Sequence, residues 1–466
     1  MPIASVDPAT GQTVREFAEH DDAFVEAALA RAAEAAAAWR RTAPAERAAV
    51  VGRAAEVFDA RREELARLMT LEMGKPLQAA RDEAAKCALA CRYYAEHGPA
   101  FVAPEPMLDD DSGTAHVRYD PLGVVLAMMP WNFPCWQVVR FAAPALAAGN
   151  VGLLKHASNV PQCALALEGV FREAGAPAGT FQTLLVGSAR VDALIADPRV
   201  AAVTLTGSEG AGAAVGAAAG RALKPSVLEL GGSDPFVVLA GADVEAAARA
   251  AVAARTINNG QSCIAAKRFV VHAAVYDRFV ERLTRGVRAL RVGHPAEPET
   301  QVGPLATEQI RRDLDDQVRR SVAAGARLLC GGTAPDGSGW YYAPTVLADV
   351  RPGMAAADEE TFGPVAAVLR ADDADHALAL ANATPYGLGA SVWTRDAAEA
   401  DRFAAGLDAG SVFVNAAVVS DPRLPFGGVK RSGYGRELAS QGLRAFCNVK
   451  TVRAARTAGA GGPATE

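Results

Sequence analysis

The spacing of apolar residues divides the chain into two stretches of different character. Up to about residue 100 the pattern is helical, and helices are predicted over residues 23–41, from Thr42 and Pro44 to Gly74, and from Leu77 to His97. Asp21 or Asp22 is placed to cap the first helix, because a carboxylate accepts hydrogen bonds from the free N–H groups of a first helical turn.

Beyond Gly123, short apolar runs alternate with helical segments. Strands are predicted at Val124–Met128, Val151–Leu154, Phe181–Val186, Val200–Leu205 and Val227–Leu230. Helices lie between them, for instance over Pro161–Ala174 and Glu209–Ala219. Strands that alternate with helices are joined by right-handed crossovers, so this stretch predicts a doubly wound parallel sheet. Such a sheet commonly binds a nucleotide at its carboxyl edge.

A second alternation of the same kind follows Gly231 and Gly232. Its strands are predicted at Phe236–Leu239, Phe269–His272, Val365–Leu369, Ala390–Trp393 and Ser411–Val414. Residues 105–119 favour a separate hairpin with its turn near Asp110–Gly113, and the tail after about Arg456 is expected to be mobile. No low-complexity linker separates the α/β stretches, which indicates two domains that pack closely.

Composition narrows the class of protein. Half of the 466 residues are hydrophobic, enough for a large core in two or three structural units. The 47 basic and 53 acidic residues leave a net charge of −6, which argues against a nucleic-acid or anionic-membrane surface. No apolar run approaches the roughly 18 residues of a membrane span, and the first residues do not resemble a signal peptide. We therefore expect a cytoplasmic protein with neither a nucleic-acid nor a membrane partner.

The seven cysteines include no CxxC pair and are widely spaced, so neither a disulfide framework nor a metal site is expected. Cys263, in NNGQSC, is a candidate nucleophile, because Asn258–Gly260 ends the preceding helix and brings the thiol to a turn. An ordinary buried thiol is the alternative.

Two further segments carry groups suited to acid–base and oxyanion chemistry. Glu229 ends an apolar strand where parallel sheets place ligands, and burial there would raise its pKa toward the range of a general base. Asn132 lies between two prolines in PWNFP, which would hold its amide toward a developing oxyanion. The structural alternatives are a solvated carboxylate at a strand end and a plain turn.

Candidate nucleotide contacts follow the second and fourth strands. Lys155 suits a ribose hydroxyl or a phosphate, although a solvated lysine is the usual outcome. Gly207 and Ser208 open a helix whose N-terminus suits an anion. The glycines that follow are a near miss to GxGxxG, since Val215 replaces the last one, and close helix–sheet packing explains them equally well.

Five motifs in order, PWNFP, LELGGSDP, NNGQSC, EETFGPV and PFGGVKRSGYGRE, resemble the NAD(P)-dependent aldehyde dehydrogenase superfamily from about Val6 to Val452. Within that superfamily, MPWNFP, LLKHA and VLELGGSDPF are most similar to the bacterial succinate-semialdehyde dehydrogenases. The resemblance implies an aldehyde dehydrogenase-like α/β fold. Its parts would be a Rossmann-type doubly wound NAD(P)-binding domain (1–104 and 120–230), an α/β catalytic domain (231–424), a small β oligomerisation element (105–119 and 425–455) and a mobile tail (456–466).

The resemblance also implies a mechanism. Cys263 would attack the aldehyde carbon, and the Asn132 amide and the Cys263 backbone N–H would hold the oxyanion of the thiohemiacetal. Hydride would pass to C4 of the nicotinamide, and Glu229 would activate the water that hydrolyses the thioester to a carboxylic acid. Because water ends the cycle, coenzyme A is not expected.

Cofactor contacts are implied for the motif positions Trp131, Asn132, Lys155, His156, Ala157, Ser158, Gly207, Ser208, Leu230, Glu360 and Phe362. Many NAD-preferring relatives have a glutamate where this chain has Ser158, so a 2′-phosphate is not repelled here. A protonated His156 would favour that phosphate, whereas a neutral imidazole would not. We expect either NAD or NADP to serve, with a slight preference for NAD, because the branch that the chain resembles is NAD-linked.

Substrate choice is implied by two residues. Arg140 matches an arginine that binds the distal carboxylate of succinate semialdehyde, and Ser420 matches a serine that assists it. A second arginine of some such enzymes is Ile257 here, which leaves a broad-specificity enzyme for other semialdehydes or aliphatic aldehydes as the alternative. For Arg140 itself the alternative is a structural ion pair. Ala265 replaces a second cysteine of some relatives, so a disulfide switch at that position is not expected.

Other classes of function fit less well. A non-catalytic protein of this fold would be expected to lack Cys263 or Glu229, and a cysteine esterase would leave the nicotinamide-site residues without a use. The superfamily assembles as dimers or dimers of dimers, so a homodimer or homotetramer is expected. The hairpin 105–119 and the segment Arg436–Val452 would supply the contacts, because a hairpin alone is marginally stable.

Overall fold

The computed structural model describes residues 3–456, in which helices and strands alternate. The strands are β1 (Ile3–Asp7), β2 (Gln12–Phe17), β3 (Glu105–Asp110), β4 (Gly113–Pro121), β5 (Val124–Met129), β6 (Val151–His156), β7 (Phe181–Thr183), β8 (Val200–Thr206), β9 (Ser226–Glu229), β10 (Pro235–Val238), β11 (Arg268–His272), β12 (Arg327–Cys330), β13 (Thr345–Ala348), β14 (Val365–Ala371), β15 (Gly389–Trp393), β16 (Ser411–Val414), β17 (Gly433–Tyr434) and β18 (Cys447–Ala455).

The helices are α1 (Asp22–Trp39), α2 (Pro44–Ala60), α3 (Arg62–Met73), α4 (Leu77–Phe101), α5 (Trp136–Ala148), α6 (Pro161–Glu173), α7 (Val191–Ala196), α8 (Glu209–Arg221), α9 (Val244–Thr256), α10 (Tyr276–Arg288), α11 (Glu308–Ala323), α12 (Ala355–Asp358), α13 (Ala374–Asn382), α14 (Ala397–Gly406) and α15 (Ala439–Arg444). Within residues 3–456, none of them combines the length and apolar character that crossing a membrane requires.

The first large sheet has the strand order β17-β9-β8-β5-β6-β7, and β5 to β9 run parallel. Successive side chains of a strand point to opposite faces, and both faces of β5 are buried. Val125 and Ala127 join the core that includes α4, α5 and α6, whereas Val124 and Leu126 join the core on the side of α1 and α8. The predicted doubly wound parallel sheet is confirmed.

The second sheet has the order β12-β13-β14-β11-β10-β15-β16 and is parallel except for the pair β12 and β13. Its five strands from the sequence pattern are present, and β12 and β13 were missed. β12, RLLC, is exposed or half exposed along its length and so lacks the pattern of a buried strand.

The first hundred residues were predicted to be purely helical, and the structure differs from that prediction. β1 and β2 form an antiparallel hairpin, which the pattern did not reveal because β2, QTVREF, is almost fully exposed. Asp21 is the cap of α1 and accepts a hydrogen bond from the backbone N–H of Phe24 (2.8 Å). The second predicted helix is interrupted at Arg61, which separates α2 from α3.

A third, small sheet has the order β18-β4-β3 and contains the predicted hairpin. The domain boundaries remain a prediction. Gly433 and Tyr434, from the segment 425–455 that was assigned to oligomerisation, pair with β9 of the first sheet. Of the tail predicted to be mobile, residues 457–466 lie outside the described part of the chain.

Candidate active site

Cys263 follows a short 3₁₀ turn, residues 257–260, at the end of α9. Three successive residues of this turn have left-handed backbone, with φ of 54° at Asn258, 58° at Asn259 and 76° at Gly260. Asparagine and glycine are the residues that adopt this conformation most readily. The sequence NNG therefore builds the turn that carries the chain from α9 to the thiol.

The Asn132 side chain lies beside the segment that leads to the nucleophile. Its Nδ2 donates to the Gln261 carbonyl (3.2 Å), and its own backbone carbonyl accepts from Asn258 Nδ2 (2.6 Å). Only 4% of Asn132 is exposed. The structure thus brings the amide predicted for the oxyanion and the turn before Cys263 into one hydrogen-bonded unit.

The segment PWNFP is anchored by a carboxylate that the sequence did not point to. Glu83 accepts hydrogen bonds from the backbone N–H groups of Cys135 and Trp136 (2.9 Å each) at the start of α5. Its charge is matched by a buried ion pair with Lys75, whose ammonium also lies 4.2 Å from the centre of the Phe133 ring. A carboxylate at a helix N-terminus is stabilised by the free N–H groups there.

His156 supports the same segment from the other side. Its Nε2 lies 2.9 Å from the Pro134 carbonyl, and its Nδ1 accepts from the Ala157 backbone N–H (2.9 Å). Burial lowers the pKa of His156 to about 4, so the imidazole is neutral at physiological pH. Of the two alternatives for His156, the neutral imidazole, which does not favour a cofactor phosphate, is therefore the one present, and the ring serves as a buried hydrogen-bond donor.

A first cavity of about 610 Å³ opens beside Cys263. It is lined by Pro130, Trp131, Asn132, Gln137, Thr206, Gly207, Ser208, Leu230, Gly231, Cys263, Glu360 and Phe362. Eight of the residues proposed from the sequence thus share this cavity. Lys155, Ala157 and Ser158 do not line it; they lie at and just beyond the end of β6, the neighbour of β5.

The polar groups of the first cavity fit a dinucleotide. The Glu360 carboxylate accepts from the Gly232 backbone N–H (3.1 Å) and still offers an oxygen to a hydroxyl group. Ser208 caps α8, whose N-terminus suits a phosphate. Trp131 and Phe362 meet edge to face, with ring centres 5.7 Å apart. A carboxylate, a helix N-terminus and an aromatic pair are the groups that a ribose, a pyrophosphate and a planar base require.

Lys267, which the sequence pattern did not single out, fixes the loop of the nucleophile. Its Nζ donates to the carbonyls of Ser262 (3.0 Å) and Cys263 (2.8 Å) and lies 3.3 Å from Glu360 Oε1. Burial raises the pKa of the Cys263 thiol to about 12, while Arg140 and Lys267 act in the opposite direction. The resting thiol is therefore neutral, and a base must take its proton before it attacks.

Glu229 lies at the end of β9 with 1% of its surface exposed. Within residues 3–456 neither carboxylate oxygen has a hydrogen-bond partner, and Glu229 lines neither this cavity nor the second one described below. Burial, and then the nearby Glu437, raise its pKa well above the usual value, whereas Arg140 and Arg436 lower it. A Cβ on Gly427 would stand 2.6 Å from Glu229 Oε1, so only glycine leaves room for the carboxylate there.

Arg140 is engaged by protein groups. Its guanidinium forms a buried ion pair with Glu437, donates to Thr206 Oγ1 (3.2 Å) and lies 4.5 Å from the centre of the Phe426 ring. The structural ion pair, which was the alternative for this residue, is therefore present. Glu437 belongs to the motif SGYGRE, so the motif pointed to it without revealing its partner.

A second cavity of about 410 Å³ reaches Cys263 from another side. It is lined by Lys86, Phe133, Trp136, Gln137, Arg140, Ile257, Ser262, Cys263, Ile264, Val419, Ser420 and Phe426. Cys263 and Gln137 border both cavities. The thiol thus lies where a cavity suited to a dinucleotide meets a cavity that is mostly apolar and carries a few cationic and hydroxyl groups.

Comparison with known proteins shows to which family the chain belongs. Residues 1–452 match the sequence family described as the aldehyde dehydrogenase family. The chain belongs to the aldehyde dehydrogenase family. This aldehyde dehydrogenase is an oxidoreductase that uses NAD(P), and its α/β fold is the one that the five motifs implied.

The names of similar proteins specify a substrate and a cofactor. The chain is 57% identical to succinate-semialdehyde dehydrogenase (NADP(+)) 1 of Mycobacterium bovis, strain BCG / Pasteur 1173P2, over 97% of this chain and 99% of that protein. It is also 57% identical to succinate-semialdehyde dehydrogenase (NADP(+)) of Mycobacterium avium, strain 104, over 97% and 96%. The structure of succinic semialdehyde dehydrogenase from Streptococcus pyogenes in complex with NADP+ is similar with a TM-score of 0.95, 36% identity and coverage of 97% and 100%. The slight preference for NAD expected from the sequence finds no support in these relatives.

Proposed function

We propose that this aldehyde dehydrogenase oxidises succinate semialdehyde to succinate with NADP as the oxidant. The observation that carries the proposal is the position of Cys263 between two cavities of different character. One offers the groups that a dinucleotide requires, and the other offers cations and a hydroxyl that suit a substrate with a second, negatively charged end. The names of the similar mycobacterial and streptococcal proteins support the same substrate and cofactor.

In the proposed reaction, Cys263 loses its proton and attacks the aldehyde carbon to form a thiohemiacetal. The Asn132 amide and the Cys263 backbone N–H donate to the oxyanion. NAD(P), when bound, supplies the acceptor for hydride. Trp131, Leu230 and Phe362 provide the apolar walls beside the thiol, and Glu360 accepts from a ribose hydroxyl.

Glu229 is the proposed base for hydrolysis of the thioester. Its carboxylate takes a proton from a water molecule, and the oxygen of that water forms the new bond to the acyl carbon as the Cys263 sulfur leaves. Burial and then Glu437 raise the pKa of Glu229, which makes its carboxylate a stronger base than that of a solvated glutamate. The side chain must turn from Gly427 toward the first cavity, which Leu230, the next residue, already lines.

The residues at the end of β6 support the use of NADP. Ser158 carries no charge that repels a 2′-phosphate, and Lys155 is a cation at the edge of the first sheet. Both residues, with Ala157, are proposed to bind the adenosine side of the cofactor. His156 contributes by holding Pro134, not by its charge.

Steady-state kinetics with succinate semialdehyde, butanal and a longer aliphatic aldehyde, each with NAD and with NADP, test the proposal. We expect the highest kcat/KM for succinate semialdehyde with NADP. Equal values for succinate semialdehyde and butanal would overturn the substrate assignment and favour a broad-specificity enzyme, as Ile257 and the engaged Arg140 would allow. A higher kcat/KM with NAD would overturn the cofactor assignment alone.

A further inference from the structure

Lys86 extends from α4 into the second cavity, where it meets residues from distant parts of the chain. Its Nζ donates to Ser420 Oγ (2.8 Å) and lies 4.1 Å from the centre of the Trp136 ring. An ammonium over an indole is held by a cation–π attraction that grows as water is excluded. The charge is thus fixed in a partly buried position on the cavity that ends at Cys263.

The Ser420 hydroxyl is oriented by its neighbours. Its oxygen accepts from Lys86 Nζ and also from Trp136 Nε1 (3.0 Å). A hydroxyl oxygen has two lone pairs, so both are used by these bonds and the O–H points elsewhere. Among the described residues no acceptor for that hydrogen occurs. Ser420 is therefore ready to donate to an anion next to Lys86.

The charge on Lys86 is available, in contrast to that on Arg140. Arg140 is paired with Glu437, whereas within residues 3–456 no carboxylate lies within ion-pair distance of Lys86. The two acids that act electrostatically on Lys86 have other partners: Glu83 pairs with Lys75, and Asp421 Oδ2 lies 2.6 Å from Arg423 Nη2.

The titration of Lys86 agrees with this geometry. Burial and then the nearby Arg140 lower the pKa of Lys86 to about 8, while Cys87, Glu83 and Asp421 oppose them. A buried ammonium is stabilised more strongly by a carboxylate than a solvated ammonium is, because less water screens the attraction between the two charges.

We infer that Lys86, together with the Ser420 hydroxyl, binds the distal carboxylate of the substrate and selects an aldehyde that carries a second, anionic end. The inference rests on the proposed function and deepens it, since it assigns recognition to Lys86 and leaves Arg140 as a positioning residue held by Glu437. Two charge-assisted hydrogen bonds, from Nζ and from Oγ, would fix the carboxylate.

The test compares kcat/KM for succinate semialdehyde with kcat/KM for butanal, which has the same chain length and no carboxylate. In Lys86→Met this ratio is expected to fall about 10- to 100-fold, the size of lost hydrogen bonds to a charged group. Lys86→Arg should keep most of the preference. Arg81→Met is the matched control: it removes a positive charge from the same helix, α4, that pairs with Glu63 and does not line the cavity, and the ratio should stay at the wild-type value.

A pH profile separates recognition by Lys86 from a merely structural role. In the wild-type enzyme the ratio should fall as the pH rises through about 8, because the lysine loses its proton and its charge. In Lys86→Arg it should stay flat, since a guanidinium remains protonated over that range. These two proteins decide the question even if Lys86→Met does not fold.

The outcomes distinguish the two claims. If the wild-type enzyme does not prefer succinate semialdehyde over butanal, the proposed function fails. If the wild-type enzyme prefers it but Lys86→Met keeps the full ratio, the proposed function stands and the inference is overturned. A wild-type ratio that is constant from pH 7 to 9 would overturn it as well.

Discussion

Cys263 and Glu229 both lie in surroundings that raise their pKa values and so favour their protonated forms. Burial is the largest cause for each, and each has an arginine, Arg140, as the leading opposing influence. A cysteine attacks as its thiolate, and a general base works as its carboxylate. Both shifts oppose the reactive, deprotonated forms, so the reaction depends on where the protons go when substrate and cofactor fill the two cavities.

The thiol itself gives the most direct prediction. Cys263→Ala should lower kcat/KM for aldehyde oxidation by at least about 1,000-fold, because it removes the atom that forms the covalent intermediate. Cys330→Ala is the matched control, since Cys330 is also partly exposed but lies on β12, and should retain wild-type activity. The assay is the absorbance of the reduced cofactor at 340 nm. Retained activity in Cys263→Ala would refute the assignment of the nucleophile.

Glu437 is expected to influence the pKa of Glu229, the proposed base. Glu437→Gln removes one of the two influences that raise the pKa of Glu229, and it also frees Arg140, which lowers that pKa. Both changes let Glu229 lose its proton at lower pH. Since the base works deprotonated, kcat rises with pH through this pKa, and the acid limb of the kcat profile should move to lower pH.

Glu105→Gln serves as the control for that profile. Glu105 also forms an ion pair with an arginine, Arg444, but it lies on β3 and lines neither cavity. Its profile should match that of the wild-type enzyme. An acid limb that stays in place, or moves to higher pH, in Glu437→Gln would contradict the coupling.

Among the elements of the fold, the left-handed turn before Cys263 should be the least tolerant. Gly260 has φ +76°, and a Cβ there would overlap the carbonyl group of Gly363. Gly353 has φ +90° with nothing within 4 Å of the Cβ position. Gly353→Ala should cost about 1 kcal/mol of unfolding free energy, the strain of a left-handed alanine. Gly260→Ala should cost about 1–3 kcal/mol more, because backbone must also move.

Urea unfolding of both variants checks this difference. Equal losses in the two proteins would show that the overlap at Gly260 relaxes without strain. Because the same turn positions the thiol, Gly260→Ala should also lose activity, while Gly353→Ala should not.

Apart from β12, β13 and β17, the strands of the two large sheets were predictable because each is an apolar run bounded by turn residues, as at β5 and β8. The hairpin β1–β2 was not, since its second strand, QTVREF, is mostly polar and almost fully exposed. At the site, Cys263, Asn132 and Glu360 stood in recognisable motifs. Lys86 did not, because it is a lysine on an alanine-rich helix, and only the fold brings it beside Ser420, which is far away in the chain.

At the scale of the whole molecule, the active site is shared between the sheets. Asn132 and Glu229 come from the carboxyl edge of the first sheet, whereas Cys263 precedes β11 of the second. The hydrogen bond from Asn258 Nδ2 to the Asn132 carbonyl joins groups from the two halves. The packing of the two sheets against each other therefore determines both cavities, and each depends on the other for its walls.

The small sheet predicts how whole molecules associate. Within the described residues, β18 is an edge strand of nine residues, and Val449 on it is 61% exposed. A long exposed edge tends to pair with another chain, so we predict a homodimer or homotetramer that uses this sheet. Val449→Lys places a charge in that contact and should shift the protein to a smaller species in sedimentation velocity. Val14→Lys is the control. Val14 also lies on a strand, β2, and is 52% exposed, so its substitution should leave the sedimenting mass unchanged. A monomeric wild-type protein at micromolar concentration, or equal masses for the wild type and Val449→Lys, would exclude this sheet as the interface.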